Sequence, residues 1–157
     1  MSSTTVTPAP AVLGELLHKA GFKVGNRPAF IVFFRSDCTW CTSEVPRLAI
    51  AFNRHLDLKV NVMGVAVGQD GEGTAQEFAR DKGWHFPVVT DPDGTVKAAF
   101  GVERVPSVVL VNREGNIQRN YEGATEQLVG ILEQTIFAAA HNSEPPAYNM
   151  VGNGCAP

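Results

Sequence analysis

The sequence predicts an α/β protein in which one central mixed β-sheet is flanked by helices. Apolar runs of strand length alternate with stretches of helical periodicity, which is typical of a sheet covered on both faces. Near the end, "SVVLV", the turn "NREGN" and "IQRNYEG" predict an antiparallel hairpin that extends the sheet. At 157 residues with 44% apolar content, the chain has the size and composition of one ordinary domain.

The first half of the chain supplies two helices and one strand to this fold. Residues 1–11, rich in Ser, Thr, Pro and Ala, are expected to form a disordered lead-in. Apolar residues at helical spacing predict a first helix over Val12–Ala20. The continuous apolar run Ala29–Phe34 predicts a strand buried on both faces. The next helix is expected over Thr42–Leu56, where Pro46 should kink it.

The second half continues the alternation. Lys59–Val67 becomes wholly apolar toward its end, which indicates another central strand. Gly73–Gly83 predicts a short helix opened by Thr74, with Glu77 three residues on as in a capping box. A short strand at "FPVVTD", a short helix at "TVKAAFG", the hairpin and an amphipathic helix over Thr125–His141 complete the order α-β-α-β-α-β-α-β-β-α.

The predicted domain covers residues 12–141, and residues 142–157 are expected to form a flexible tail. A net charge of −3, with basic residues scattered singly, offers no positive patch for nucleic acid or an anionic membrane. No apolar stretch approaches the roughly 20 residues that span a bilayer, and the opening residues lack the pattern of a secretory signal. The charge pattern therefore favours small-molecule or protein partners. We expect the protein either to be cytoplasmic or to have lost a targeting segment.

The segment "FFRSDCTWCTSEVP" places Cys38 and Cys41 three positions apart, where the apolar strand ends and a helix begins. A cysteine is nucleophilic only as the thiolate, and a helix N-terminus lowers the ordinary thiol pKa of about 8.5. The spacing brings Cys41 over Cys38 on the first helical turn, close enough for a disulfide. We therefore expect Cys38 to attack and Cys41, the better shielded thiol, to resolve the mixed disulfide.

Other chemistries also use two cysteines at this spacing. A zinc site needs two more ligands, and the four histidines are scattered without paired spacing. A structural disulfide between Cys38 and Cys41 would close too short a loop to add much stability. A copper-binding module could use the same two thiols as soft ligands for Cu(I). Cys155, alone in the tail, is expected to be a free thiol, with intermolecular pairing as the alternative.

The cysteine segment resembles the active site of the thioredoxin superfamily: an apolar strand, a C-x-x-C motif and Pro46 five positions after Cys41. "RVPSVVLVNREGNI" is similar to the family's loop in which a cis-proline faces the cysteines, so the resemblance implies a cis Val105–Pro106 bond. Between these motifs, "GQDGEGTAQEFARDKGWHFPVVTDPDGTVKAAFGV" is similar to TlpA/ResA-type thiol-disulfide oxidoreductases. The resemblance covers about 12–140 and implies a thioredoxin fold with a helix-strand insertion between the CxxC helix and the cis-Pro strand.

This resemblance implies a thiol-disulfide oxidoreductase that acts on protein disulfides or dithiols, as a reductase, with a redox-active Cys38–Cys41 disulfide and no bound cofactor or metal. It implies a periplasmic setting, with membrane anchoring of the full-length protein, electrons supplied by a membrane thiol reductase, and apocytochrome c as a substrate in cytochrome c biogenesis. We expect a monomer without a nucleic-acid partner. A cytoplasmic location is the alternative.

Two related activities remain open. A peroxiredoxin-type peroxidase shares the fold, but such enzymes are expected to present a threonine shortly before the attacking cysteine, and "FFRSDC" has none. An oxidase that donates disulfides would differ from the reductase only in redox poise.

The residues around the cysteines follow the pattern of the family in part. Asp37 stands where these proteins usually carry a tryptophan, and we expect its carboxylate to point to solvent. Trp40 offers an apolar rim for a protein partner. The resemblance assigns the substrate groove and its tuning to Asp37, Thr39, Trp40, Val105 and Pro106, and a structural role at the site to Phe34 and Pro46. Glu44 is expected to be a solvated charge, and Trp84 and His85 to pack or cap a strand.

Overall fold

A computed structural model of the chain describes residues 7–23, 25, 27–68, 71–147 and 151–157. The strands in this part of the chain are β1 (Thr7–Pro8), β2 (Ala29–Phe34), β3 (Asn61–Val67), β4 (Val88–Asp91), β5 (Ser107–Val111) and β6 (Asn116–Glu122). The helices are α1 (Val12–Lys19), α2 (Thr39–Asn53), α3 (Glu72–Asp81), α4 (Thr95–Ala99) and α5 (Leu128–Ala140).

The strands form one mixed sheet in the order β1-β6-β5-β2-β3-β4. Strand β2 is parallel to β3 and antiparallel to β5, so the end of β2 lies beside the beginning of β5. Phe33 of β2, for example, is opposite Ser107, the first residue of β5. This topology brings the residues that follow β2 and those that precede β5 to the same edge of the sheet.

The core lies on the three central strands. Every residue of β2, β3 and β5 is buried, because helices cover strands of this kind and leave no polar face. Helix α2 buries Val45, Leu48 and Phe52 at helical spacing, and the Phe52 ring meets Phe30 of β2 edge to face at 5.3 Å between centroids. The rigid centre of the sheet therefore supports the first turn of α2.

The predicted fold class is confirmed, and β2 and β5 have the predicted bounds. Three helix starts differ from the prediction. Helix α2 begins at Thr39, helix α5 begins at Leu128, and Gly71 rather than Thr74 precedes α3, without a side-chain cap. A glycine can occupy this N-cap position because the position requires an extended backbone conformation and does not require a side-chain hydroxyl.

The two ends of the described chain differ more from the prediction. Thr7 and Pro8, expected within a disordered lead-in, pair with Ile117 and Asn116 of β6; residues 1–6 lie outside the described residues. Residues 151–157, here named the closing segment, make antiparallel bridges to the domain where a flexible tail was expected. None of the helices in the described ranges is long and apolar enough to cross a bilayer.

Candidate active site

Cys38 lies at the N-terminus of α2. It is the residue just before the helix, with extended backbone angles of φ −103° and ψ 123°, and its carbonyl oxygen accepts a hydrogen bond of 3.0 Å from the Thr42 N–H. No side chain caps this end of the helix. The Cys38 sulfur therefore lies where unpaired N–H groups and the helix dipole favour negative charge.

Cys41 lies on the first turn of α2 and is completely buried. The backbone N–H of Arg35, in the loop after β2, contacts its sulfur at 3.5 Å. The two cysteines thus lie at the start of α2, as the sequence predicts, and both are buried.

The disulfide in the structure joins Cys38 to Cys155, which are 117 positions apart in sequence and have 6.1 Å between their Cα atoms. Cys41 is outside this disulfide. The expectation that Cys155 is a free thiol is therefore wrong. A disulfide between Cys38 and Cys41 stays a prediction, because the structure contains the other pairing of Cys38.

The loop before β5 lies against Cys38. The Val105–Pro106 peptide bond is cis, as the resemblance implies, and both residues are buried. The Val105 carbonyl oxygen lies 3.9 Å from the Cys38 sulfur. Because a disulfide sulfur has no proton to donate, this is a van der Waals contact. It places the backbone of Val105 directly beside the reacting sulfur.

The closing segment lies along this loop in an antiparallel arrangement. The Val105 N–H donates to the Cys155 carbonyl at 2.9 Å, and the Cys155 N–H donates to the Val105 carbonyl at 2.9 Å. A second reciprocal pair joins Ala124 and Asn153 at 2.8 and 3.0 Å. The sequence predicted a flexible tail here. The segment shows no apolar periodicity, but pairing through backbone hydrogen bonds does not require a periodic pattern of side chains.

Charged side chains surround the end of the closing segment. The Asp37 carboxylate is exposed and accepts two hydrogen bonds from Arg35, at 2.9 and 2.8 Å, which hold its pKa below the usual range. Its outward direction agrees with the prediction. Arg35 also donates to the Ala156 carbonyl, and the Lys97 ammonium donates to a backbone oxygen of Pro157 at 2.8 Å. These groups border an open polar cavity of about 580 Å³.

The aromatic residues near the site divide into surface and core. Trp40 is 41% exposed and lies on the surface beside the cysteines, as expected for an apolar rim, and Thr39 is exposed as well. Phe34 is buried and its ring stacks on Phe78 at 5.4 Å. Trp84 is also buried, edge to face with two other rings, which gives it a packing role.

Glu44 is the site residue that the sequence interpretation misplaced. It was expected to be solvated, but its side chain is only 4% exposed. An Arg47 guanidinium nitrogen lies 3.3 Å from its carboxylate, and burial raises the pKa of the carboxyl group above its usual value. Position 44 lies three residues after Cys41 and four before Leu48, both buried. That helical spacing is the signal that could have placed Glu44 on the inner face of α2.

A mixed sheet, a Cys-x-x-Cys pair at a helix N-terminus and a cis-proline loop beside it define a thioredoxin-superfamily domain, as the sequence predicts. The chain belongs to the AhpC/TSA family, whose profile matches residues 15–120.

Among its relatives, the thiol-disulfide oxidoreductase ResA of Halalkalibacterium halodurans is 30% identical over 105 residues, 66% of this chain and 59% of the relative. The thiol:disulfide interchange protein DsbE of Xylella fastidiosa is 26% identical over 127 residues, 78% of this chain and 63% of the relative. The structure of MTB DsbF in mixed oxidized and reduced forms is 29% identical with a TM-score of 0.63, covering 73% of this chain and 81% of that one. The chain thus spans about three-fifths of the length of these two curated relatives.

Proposed function

We propose that the protein is a thiol-disulfide oxidoreductase that exchanges disulfides with protein substrates through Cys38 and Cys41. The observation that carries the proposal is the state of Cys38: it lies at the N-terminus of α2, bonded in a disulfide, with the Cys41 thiol on the first turn of the helix. A disulfide beside a thiol is the composition that exchange chemistry requires. The ResA and DsbE relatives, which are named as thiol-disulfide oxidoreductase and thiol:disulfide interchange protein, support the same activity.

In the reducing direction, the Cys38 thiolate attacks one sulfur of a substrate disulfide. The other substrate sulfur leaves as a thiolate and takes up a proton. The Cys41 thiolate then attacks the Cys38 sulfur, a Cys38–Cys41 disulfide forms, and the second substrate sulfur leaves. Two electrons pass from the cysteine pair to the substrate, and no bound cofactor takes part. An external dithiol must then reduce the pair again.

The residues around Cys38 provide a docking groove in this proposal. The backbone of Val105 offers one N–H and one C=O beside the sulfur, which suits an extended substrate segment. Pro106 has no N–H and so adds no competing donor. Trp40 and Thr39 form the exposed rim, and Asp37 lies close enough to influence charged partners.

We further propose that the protein works as a reductase in an extracytoplasmic compartment, fed by a membrane thiol reductase, with apocytochrome c among its substrates. The Cys38–Cys155 disulfide supports an oxidising compartment, since such bonds are rare in the reducing cytoplasm. Expression with compartment-specific fractionation tests the location. Recovery only in the cytoplasm would contradict it.

The test of the activity uses the Cys155→Ser protein, which keeps Cys38 and Cys41 and removes the competing disulfide. We expect it to reduce insulin disulfides with dithiothreitol as electron source, and we expect Cys38→Ser in the same background to be inactive. Cys41→Ser should instead accumulate a mixed disulfide with the substrate, because the resolving thiol is missing. Failure of Cys155→Ser to form any Cys38–Cys41 disulfide would overturn the proposal.

The direction of electron flow is measured by equilibrating Cys155→Ser with glutathione and following Trp40 fluorescence. A potential near or below roughly −250 mV supports a reductase, and one above about −150 mV indicates a disulfide donor. Consumption of peroxide without a second protein substrate would indicate a peroxidase instead. Retention of Cu(I) that is lost in Cys38→Ser would indicate a copper-binding module.

A further inference from the structure

We propose that Cys155 is a third redox-active cysteine, and that the closing segment is a tethered substrate. In this proposal the oxidised protein rests with the Cys38–Cys155 disulfide, and Cys41 opens it by displacing Cys155. The inference rests on the proposed function of Cys38 and Cys41, and adds to it a partner carried on the same chain.

The first support is the way in which the closing segment is held. Val105 and Cys155 exchange two backbone hydrogen bonds of 2.9 Å each, directly beside the disulfide. Ala124 and Asn153 exchange two more, at 2.8 and 3.0 Å. The segment therefore docks as a short strand, which is how an extended peptide binds along exposed backbone. A segment attached only through its disulfide would not need to form these paired backbone hydrogen bonds.

The second support is a pair of glycines that permit the close approach. A Cβ atom at Gly154 would lie 2.5 Å from the Val105 carbonyl oxygen, and one at Gly152 would lie 2.5 Å from the Ala124 carbonyl oxygen. Real Cβ atoms do not approach backbone so closely, so any side chain at either position would push the segment away. The two glycines of "GNGC" are thus the residues that allow the closing segment to lie against the backbone of Val105 and Ala124.

The third support comes from the end of the segment. Arg35 donates to the Ala156 carbonyl and Lys97 donates to a backbone oxygen of Pro157. Arg35 follows β2 and Lys97 lies in α4, which follows β4, and these parallel strands end on the same side of the sheet. The segment is therefore anchored on both sides of Cys155, by backbone pairing before it and by two cations after it.

Docking of the segment closes the site. With the Cys38–Cys155 disulfide formed, Cys38 is only 1% exposed, and the backbone groups of Val105 are engaged by Cys155. An external substrate can reach neither. The oxidised protein is thus withdrawn from further exchange with substrates until the closing segment leaves.

Opening follows from one exchange step. The Cys41 thiolate attacks the Cys38 sulfur, a Cys38–Cys41 bond forms, the Cys38–Cys155 bond breaks, and Cys155 leaves as a thiolate that takes up a proton. One disulfide and one thiol are present before and after, so no oxidant or reductant is consumed. The reverse step is favoured by the tether, which holds Cys155 at a high effective concentration near Cys38.

The experiment traps the displaced thiol. The wild-type protein is fully oxidised, incubated with iodoacetamide, quenched with acid at intervals and mapped by peptide mass spectrometry. We expect Cys38–Cys155 to be the main disulfide at the start, and labelled Cys155 to accumulate together with Cys38–Cys41. In Cys41→Ser, Cys155 should stay unlabelled because nothing displaces it. Labelling of Cys155 that is no faster in the wild type than in Cys41→Ser would mean that the disulfide is only a structural crosslink, and it would overturn the proposal.

A matched pair of variants tests the docking. Gly154→Val places a side chain against the Val105 carbonyl, whereas Asn153→Val changes the neighbouring residue, which is exposed. We expect Gly154→Val to speed labelling of Cys155 by about tenfold or more, and Asn153→Val to change it by less than about twofold. Equal labelling rates in the two variants would show that docking of the closing segment does not hold the site closed.

The two proposals fail in different ways. If Cys155→Ser reduces insulin but the oxidised wild type never forms Cys38–Cys155, the proposal of a tethered substrate is wrong and the proposed oxidoreductase activity is retained. If Cys38–Cys155 forms but Cys155→Ser has no disulfide exchange activity, the proposed function is wrong and the bond is structural.

Discussion

The central strands and the closing segment both take their place through backbone hydrogen bonds, but different forces hold them there. Strands β2 and β5 are wholly buried and, apart from Ser107, apolar, so the hydrophobic effect holds them whatever the redox state. The closing segment lacks large buried side chains and is only partly buried, and a covalent bond to Cys38 fixes it in addition to its backbone pairing. One part of this molecule is therefore constitutively stable, whereas the attachment of the other depends on thiol chemistry.

Leu110→Ala in β5 should have the largest effect on stability. The side chain is completely buried, so its truncation leaves a cavity and should lower the free energy of unfolding by about 2–5 kcal/mol. Urea unfolding measures the loss, which should be equal with and without dithiothreitol. Ile50→Ala, at a position 52% exposed on α2, is the control and should change stability by less than about 0.5 kcal/mol. A loss at Leu110 that appeared only in the oxidised protein would contradict the constitutive stability of the central strands.

Cys155→Ser should have the next largest effect, and only under oxidising conditions. The disulfide closes a ring between positions 117 apart, which restricts the unfolded chain and contributes about 2–4 kcal/mol. Thermal or urea unfolding of the oxidised proteins should show this deficit. In dithiothreitol the wild type and Cys155→Ser should coincide. A deficit that persists after reduction would mean that the serine disturbs docking itself.

Glu44→Gln should have a smaller effect that depends on pH. Burial raises the pKa of Glu44 in the folded protein above the ordinary value of 4.5, so folding favours the neutral carboxyl group. The contribution of Glu44 is complete below pH 4.5 and is lost as the pH rises through the raised pKa. The wild type should therefore lose stability relative to Glu44→Gln between pH 4 and pH 8, measured by urea unfolding at each pH. A difference in the free energy of unfolding that stays constant across this range would contradict a raised pKa of Glu44.

Val151→Ala should have the smallest effect. The side chain lies in the closing segment and is 60% exposed, so its truncation removes little buried surface. The free energy of unfolding should change by less than about 0.5 kcal/mol in either redox state. A larger loss in the oxidised protein would show that the closing segment buries a hydrophobic contact as well as pairing through its backbone.

The parts of the fold that were predictable from sequence are those whose residues reveal their own environment. The apolar runs Ala29–Phe34 and Ser107–Val111 identify buried strands, and the spacing of Cys38 and Cys41 after the first run predicts their place on a helix. Resemblance supplied the cis bond before Pro106, which no local pattern dictates.

The parts that were not predictable depend on distant partners. Thr7–Pro8 and the closing segment lack periodicity, and their strand pairing comes from edges that the rest of the fold creates. Cys155 carries no local signal for its bond to Cys38, since sequence does not determine disulfide connectivity. Glu44 was misjudged by residue type, although its spacing from Cys41 and Leu48 indicated the buried face.

The ring closed by Cys38 and Cys155 also has a mechanical consequence. A chain stretched from its two ends would bear tension outside the ring, while everything between the two cysteines would remain shielded from load. After reduction of this one bond, unfolding under load would release that hidden length, roughly 400 Å of extended polypeptide for the 117 intervening peptide links. The same thiol chemistry that opens the site would therefore determine whether residues 38–155 can bear load.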